Sequence, residues 1–523
     1  MFFNLITLDQ LSIILISCFI FISFYNTFRH QPQPSSYPIL LGMQSDISRV
    51  RRKSETPIFR NTSFGMGMLT PSHSIKSFND LISLSNGKFD GLKNPTNPFP
   101  DKSIATLVQQ VRQKILSILN DLPKPDNRSQ HPPEILVLLS NPYLSLTAFT
   151  LPYHTLHIQI PLSSTTIPAH IQQASGGQLS QLKLVICDHQ LESAVKEFVT
   201  RSDLHHPKII NINDLLNHLS STDLHEQNET KLQSGLFTFL SSERDGASRL
   251  ISFEQDGLLA GLTASLGLLP KSKSVGAEDR VAIQIQENSV YGFQSSFAIA
   301  SLYGGAKICF FNKIEELSDW HPTVLVCQAD LLETLANEIR TLSSKSLRLK
   351  LGIGQRLSYL SRGILIEGVK DKELWIGEKL RSILTSGPIT QTTANVVRAA
   401  LGVQVQQVYA HPLVAGPVLA TMFTDFQSLG LSQEDLHYGP PTTNVECKLV
   451  DVPEPAIINN DAVKGQLAVR GPTVAVQIKD PKTGEVVEDQ LISEKFLRLD
   501  QDAQLLSNGT VKVFLSNGLV YDS

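Results

Sequence analysis

The chain has 523 residues, of which 41% are hydrophobic. This length can bury a large core and exceeds the usual span of one compact domain, so two or more domains are expected. The net charge is -4, from 45 basic and 49 acidic residues. Because a phosphate backbone requires a basic surface, no nucleic acid is expected as a partner. The five cysteines lie far apart without metal-ligand spacing, which favours a reduced, cytosol-facing body.

An apolar segment runs from Leu11 to Phe28 without a charged residue. As a helix it would be roughly 27 Å long, so it predicts one transmembrane helix as a membrane anchor over residues 1–30. Asp9 precedes it, whereas Arg29 and a basic cluster at 49–53 follow it. The positive-inside bias predicts a single-pass membrane protein of the endoplasmic reticulum or lipid droplets, with the bulk of the chain cytosolic. A cleaved signal peptide and a hairpin in one leaflet are the alternatives.

The remaining chain is predicted to be α/β. Residues 31–100 are rich in Gln, Pro, Ser and Gly, which predicts a linker and N-terminal extension. An amphipathic helix over Ser103–Asn120 then precedes short apolar strands that alternate with helical segments. From 439 the pattern changes to short strands with turns. The predicted units are a first α/β subdomain at 101–219, a connection at 220–234, a second α/β subdomain at 235–438 and a β-rich subdomain at 439–523.

Four segments, read in order, carry a family resemblance. They are Thr238–Gly261 (TFLSSERDGASRLISFEQDGLLAG), Arg381–Pro412 (RSILTSGPITQTTANVVRAALGVQVQQVYAHP), Gly439–Ala475 with GPPTTNVECKLVDV and GQLAVRGP, and Glu494–Val513 (EKFLRLDQDAQLLSNGTVKV). In register over Pro132 to Val513, they resemble the adenylate-forming enzymes, and among them the long-chain acyl-CoA synthetases. The resemblance implies that family's large N-terminal domain and, if the chain is active, an acid–thiol ligase. It also implies ATP or AMP, Mg and CoA as ligands, and a fatty acid or acyl-CoA as partner beside the membrane.

The resemblance also implies nucleotide-binding positions. A phosphate loop works because glycines let backbone N–H groups approach phosphate oxygens, while hydroxyls and a cation add contacts. The implied positions are Ser241, Ser242, Gly246 and Arg249 in the phosphate loop, Ser386, Gly387 and Pro388 in the turn against the adenine, Tyr409 in a YGxTE-like motif, and Asp500 for the ribose hydroxyls.

The ATP-handling positions depart from the family pattern. Glu243 replaces a glycine and Asp245 a hydroxyl residue, so two carboxylates occupy a loop that should receive triphosphate. Pro412 and Leu413 stand where the family has its threonine and its magnesium-binding glutamate. A leucine cannot ligate a cation that demands oxygen. Because imidazole is a poor magnesium ligand, His411 is interpreted as a structural or exposed residue.

No catalytic residue and no metal ligand is assigned, because the family's catalytic lysine lies in a small domain beyond the position that matches Ser523. We therefore expect a protein impaired in adenylation, a pseudoenzyme that binds lipid or acyl groups or acts as a scaffold. The alternatives are an active fatty acid–CoA ligase with altered residues or a separate C-terminal domain, and a truncated gene model.

Overall fold

The computed structural model describes the chain in ranges separated by gaps. The described residues are 10–29, 41–49, 51–61, 75, 80–81, 84–89, 104–121, 134–139, 141–149, 154–159, 182–201, 207–212, 214, 236–242, 248–285, 293–366, 376, 378–426, 437–453, 463–479, 491–492 and 495–514.

The helices and strands alternate along most of these ranges. The helices are α1 (Gln10–Arg29), α2 (Ile104–Asp121), α3 (Pro142–Phe149), α4 (Glu192–Arg201), α5 (Gln255–Leu266), α6 (Phe293–Tyr303), α7 (Ala329–Lys345), α8 (Leu347–Leu360) and α9 (Gln391–Leu401). The strands are β1 (Ser45–Ile47), β2 (Phe59–Asn61), β3 (Lys88–Phe89), β4 (Glu134–Leu139), β5 (His154–Gln159), β6 (Leu182–Cys187), β7 (Lys208–Asn211), β8 (Leu236–Ser242), β9 (Ser248–Glu254), β10 (Arg280–Gln284), β11 (Lys307–Phe311), β12 (Val324–Gln328), β13 (Ser382–Ser386), β14 (Gln404–Ala410), β15 (Pro417–Ala420), β16 (Glu446–Val450), β17 (Val463–Arg470), β18 (Gln477–Lys479), β19 (Leu491–Ile492), β20 (Phe496–Leu505) and β21 (Val511–Phe514).

The first sheet has the order β18-β9-β8-β5-β4-β6-β7. Its members from β8 to β7 run parallel, and β9 and β18 add two antiparallel strands at one edge. The central strands β4 and β6 have the apolar sequences EILVLL and LKLVIC, as expected for parallel strands that are covered on both faces. The sheet thus joins residues from three separate parts of the chain.

The second sheet has the order β15-β14-β13-β12-β10-β11-β3 and is parallel except for β15. Helices α7, α8 and α9 pack together and cover one face, and α5 packs against α6 within the main core. The ends of α9 are set by the sequence. The side chain of Thr390 accepts from the N–H of Thr393, and Gly402 closes the helix at φ +69°. This α/β alternation confirms the predicted fold class.

The third sheet is antiparallel, with the order β1-β2-β16-β17-β20-β19, and β21 pairs with β20. It corresponds to the predicted β-rich subdomain. Strands β1 and β2 come from the segment 31–100, which the sequence predicts to be linker and extension. A buried ion pair fixes that segment, since Nζ of Lys448 lies 2.6 Å from the carboxylate of Glu55. Strands β1 and β2 of that segment are therefore part of the third sheet.

The predicted transmembrane helix is not supported by the structure. A helix does form there, as α1, but within the described ranges no helix is long and apolar enough to cross a membrane. The predicted cellular location remains a prediction.

Candidate active site

The candidate site lies at the carboxyl ends of the second sheet's parallel strands, the edge where open α/β sheets bind ligands. Ser386 ends β13, and Gly387 and Pro388 lead from it into α9. Gly387 has φ +92°, and its carbonyl accepts from Nε2 of Gln407 at 2.8 Å. A residue other than glycine would be strained at this φ. The turn that resembles the adenine-binding turn is therefore built, and β14 holds it in place.

Tyr409 lies beside this turn, at the end of β14. It is buried, with its ring 5.4 Å from that of Tyr438 in an edge-on arrangement and 6.4 Å from the imidazole of His411. Aromatic pairs at such distances favour edge-to-face packing. The tyrosine of the YGxTE-like motif is thus a core residue whose ring packs against neighbouring rings.

The residues after Tyr409 turn into the core instead of lining a metal site. Leu413 is 3% exposed and belongs to the main apolar cluster. Its N–H donates to Nδ1 of His411 at 3.3 Å, and its carbonyl accepts from the N–H of Ala475 at 2.9 Å. The residue at the position of the family's glutamate is therefore a packing residue.

His411 connects three of the elements that carry predicted site residues. It is half-buried, and burial together with the positive charge of Arg249 lowers its pKa to about 3. The carbonyl of Leu499 accepts a hydrogen bond from the ring. Because Nδ1 is an acceptor for Leu413, this bond comes from Nε2–H of a neutral imidazole. Arg249 of β9 and Leu499 of β20, the neighbour of Asp500, thus both influence the pKa of this histidine, which follows β14.

Asp500 and Arg249 are therefore brought to the same region. Asp500 is exposed and has φ +52°, an uncommon conformation for a residue with a side chain. Such outliers cluster at functional sites. Sequence reasoning interpreted His411 as a structural or exposed residue and missed its role at this junction. Its position two residues after Tyr409 was the available signal.

The predicted phosphate loop has the form of a β-hairpin. Strands β8 and β9 pair up to Ser242 and Ser248, and Ser241 lies opposite Arg249. Five residues, 243–247, connect the strands, and they lie outside the described residues together with the predicted Gly246. A phosphate nest needs consecutive N–H groups that are free to point at one anion. The ladder places Ser241, Ser242 and Arg249 at the end of the two strands, next to this connection.

Two glycines position the turn that contains His411 and Leu413. A Cβ added to Gly261 of α5 would lie 2.1 Å from the carbonyl oxygen of Ala415, and one added to Gly416 would lie 2.6 Å from the carbonyl oxygen of Gly261. Gly416 also has φ +89°. Helix α5 and the turn therefore touch backbone to backbone. This contact was missed from the sequence, although Gly261 closes the LLAG segment used for the resemblance.

The residues present do not fit a magnesium ion. Magnesium prefers octahedral oxygen ligands, but the turn after Tyr409 supplies a buried leucine and an imidazole, a nitrogen donor whose Nδ1 already accepts from the N–H of Leu413. Among the residues that the structure describes, no group of three or more His, Cys, Asp or Glu could hold a metal ion.

Comparison with solved structures identifies the fold. The adenylation domain of a keto acid-selecting NRPS module, bound to keto acyl adenylate, matches with a TM-score of 0.60 and 10% identity, covering 86% of this chain and 81% of the other. A long-chain-fatty-acid-CoA ligase from Archaeoglobus fulgidus matches with a TM-score of 0.59 and 12% identity, covering 86% of each chain. The chain has the fold of adenylate-forming enzymes. The match lies in the α/β sheets and helices of their N-terminal domains.

Sequence comparison identifies a distant relative and no family. The uncharacterised protein YHR045W of Saccharomyces cerevisiae is 22% identical over 526 residues, which cover 88% of this chain and 89% of that protein. No protein-family model matches the chain. The likeness is therefore one of fold.

Proposed function

We propose that this protein is an acyl-CoA synthetase-like protein that binds a fatty acid or its acyl-CoA and is impaired in adenylation. The observation that carries the proposal is the burial of Leu413, which is 3% exposed at the position of the magnesium-binding glutamate. Without an oxygen ligand there, a triphosphate loses the cation that neutralises its developing charge.

The nucleoside side of the proposed site is better preserved than the phosphate side. By the resemblance, Ser386, Gly387 and Pro388 would lie against an adenine and Asp500 would hold the ribose hydroxyls. The built turn at Gly387 and the convergence of Arg249 with the Leu499–Asp500 segment support this assignment. We therefore expect AMP or an acyl-adenylate, which carry one phosphate, to bind more tightly than ATP with Mg. By the resemblance, CoA is a further expected ligand.

Calorimetry on the full-length protein tests this function. The titrants are a long-chain fatty acid, its CoA thioester, AMP, and ATP with and without Mg. The proposal expects binding of the acid or the thioester, and ATP binding that Mg does not strengthen. Asp500→Asn should weaken AMP binding, whereas Asp502→Asn, an exposed aspartate two residues along the same strand, should not. Tight, Mg-dependent ATP binding would contradict the proposal.

A second candidate is an active fatty acid–CoA ligase that uses altered ATP-site residues. The observation that favours it is Arg249, which lies at the lysine position of the phosphate loop and acts electrostatically on His411. A guanidinium holds phosphate in a bidentate way and could replace part of the missing charge. Formation of acyl-CoA from acid, ATP and CoA by the full-length protein would establish this candidate, and loss of that activity in Arg249→Ala would locate it.

A further inference from the structure

Helix α8 carries an unusual distribution of charge. Between Arg340 and Ile366 the chain has six basic residues and no acidic one, although the whole chain has a net charge of -4. The basic residues are Arg340, Lys345, Arg348, Lys350, Arg356 and Arg362. Arg356 is buried and donates to the carbonyl of Gly352, whereas the other five are exposed. Their charge asymmetry marks a local positive surface on a chain that is otherwise slightly acidic.

The same helix exposes large apolar side chains. Leu347 is 72% exposed and Leu351 is 65% exposed, one turn further along. Residues four apart lie on one face of a helix, so the two leucines form a stripe that continues over Gly354 and Ser358. The opposite face is buried in the core through Leu349 and Ile353. The exposed stripe is therefore a separate surface, and we name Leu347, Leu351 and the basic residues beside them the α8 ridge.

Basic residues border the stripe on both sides. At 100° per residue, Arg348 lies on one flank of the leucines and Lys350 on the other, and both are exposed. Among the described residues neither has an ion pair. Lys345 ends the preceding helix α7 and is also exposed. The ridge thus combines aliphatic side chains with surrounding positive charge.

We propose that the α8 ridge adsorbs to an anionic phospholipid surface. A helix with aliphatic residues between lysines and arginines lies in the headgroup region, with its apolar side chains at the acyl boundary. The positive charges then meet anionic headgroups, which attract each nearby Lys or Arg. A nucleic acid backbone would use the positive charges but gains nothing from exposed leucines. The proposal does not depend on the function proposed above.

Vesicle flotation with the full-length protein tests the proposal. The vesicles are phosphatidylcholine alone and phosphatidylcholine with phosphatidylserine, each at low and high salt. Wild type is expected to float with the anionic vesicles at low salt. Arg348→Glu with Lys350→Glu should lower the partition coefficient by more than tenfold, because each basic residue near an anionic surface contributes roughly fivefold. Leu347→Ser with Leu351→Ser should also lower it, with little effect on folding because both side chains are exposed.

The matched control is Lys313→Glu with Lys379→Glu, which changes the net charge equally at two other exposed lysines. It should leave vesicle binding within about twofold of wild type after the screening of distant charges. Circular dichroism melts establish that each variant is folded. The proposal is overturned if wild type and both α8 variants bind the vesicles equally, or if wild type does not bind anionic vesicles. It is also overturned if the control loses as much binding as the α8 variants. Binding to a single-stranded RNA that survives Leu347→Ser with Leu351→Ser, without vesicle binding, also overturns it.

Discussion

The backbone N–H of Leu413 donates to Nδ1 of His411 over 3.3 Å. This bond joins residues two apart in the chain and closes the turn after Tyr409. The leucine is buried in the core, and the other ring nitrogen is left for the carbonyl of Leu499. One turn therefore performs two tasks. It fills the position of a metal ligand with an apolar side chain, and it connects the second sheet to the strand that carries Asp500.

Leu413 should behave as a core residue. Leu413→Ala should lower the free energy of unfolding by about 2–5 kcal/mol, through lost burial and a cavity, whereas Leu413→Met should cost less than about 1.5 kcal/mol. Neither substitution should create Mg-dependent ATP binding. Chemical denaturation and calorimetry measure the two effects. A Leu413→Ala variant of unchanged stability would show that the side chain is not packed as described.

The contact between α5 and the site turn should be intolerant of a methyl group. In Gly261→Ala the new Cβ would meet the carbonyl oxygen of Ala415, so the free energy of unfolding should fall by about 1–3 kcal/mol. Gly354→Ala is the matched control, since nothing lies within 4 Å of its added Cβ. In a helix this change should stabilise by up to about 1 kcal/mol. Similar effects of the two substitutions would contradict the described approach.

Stability should depend on pH through His411. Its pKa is about 3 in the folded protein, because of burial and the charge of Arg249, against an ordinary value of 6.5. Between these values the unfolded chain binds more protons, so the stabilisation present above pH 6.5 is lost as the pH falls through this interval. The slope is at most about 1.4 kcal/mol per pH unit. His411→Gln should flatten a plot of unfolding free energy against pH, and an unchanged slope would argue against a neutral, half-buried imidazole.

A bidentate ion pair should stabilise the second sheet where strands β10 and β13 begin. Nε and Nη2 of Arg381 lie 3.1 Å and 2.9 Å from the two carboxylate oxygens of Asp279. Burial raises the pKa of Asp279, but hydrogen bonds from Arg381, Thr323 and the N–H of Gly276 outweigh it, so the net shift is downward. Arg381→Ala should lower the free energy of unfolding, measured by chemical denaturation, by about 2 kcal/mol. The exposed pair of Arg201 with Glu197 is the control, and Arg201→Ala should cost less than about 0.5 kcal/mol.

Local sequence patterns predicted the regular elements closely. The helical period over Ser103–Asn120 matches α2 to within one residue at each end, and the expected alternation of short strands with helices is found from β4 to β14. These patterns succeed because they record which faces are buried. They carry no information on long-range pairing, so β2 beside β16 and β3 beside β11 could not be anticipated. The transmembrane helix expected over residues 1–30 is not supported among the residues that the structure describes.

The site residues named from the sequence stay a prediction, and the sequence did not predict their arrangement. The motif order identified Arg249, Tyr409 and Asp500, yet only the folded chain brings their segments together around His411. The sequence also showed Leu413 at a ligand position without showing where its side chain goes. Burial in the main core supplies that answer.

The most direct test of the central claim is ATP–pyrophosphate exchange by the full-length protein with a long-chain fatty acid and Mg. We expect no acid-dependent exchange above the background measured without protein, in a preparation that is shown by calorimetry to bind the acid. Acid- and Mg-dependent exchange that is lost in Asp500→Asn but retained in Asp502→Asn would contradict it.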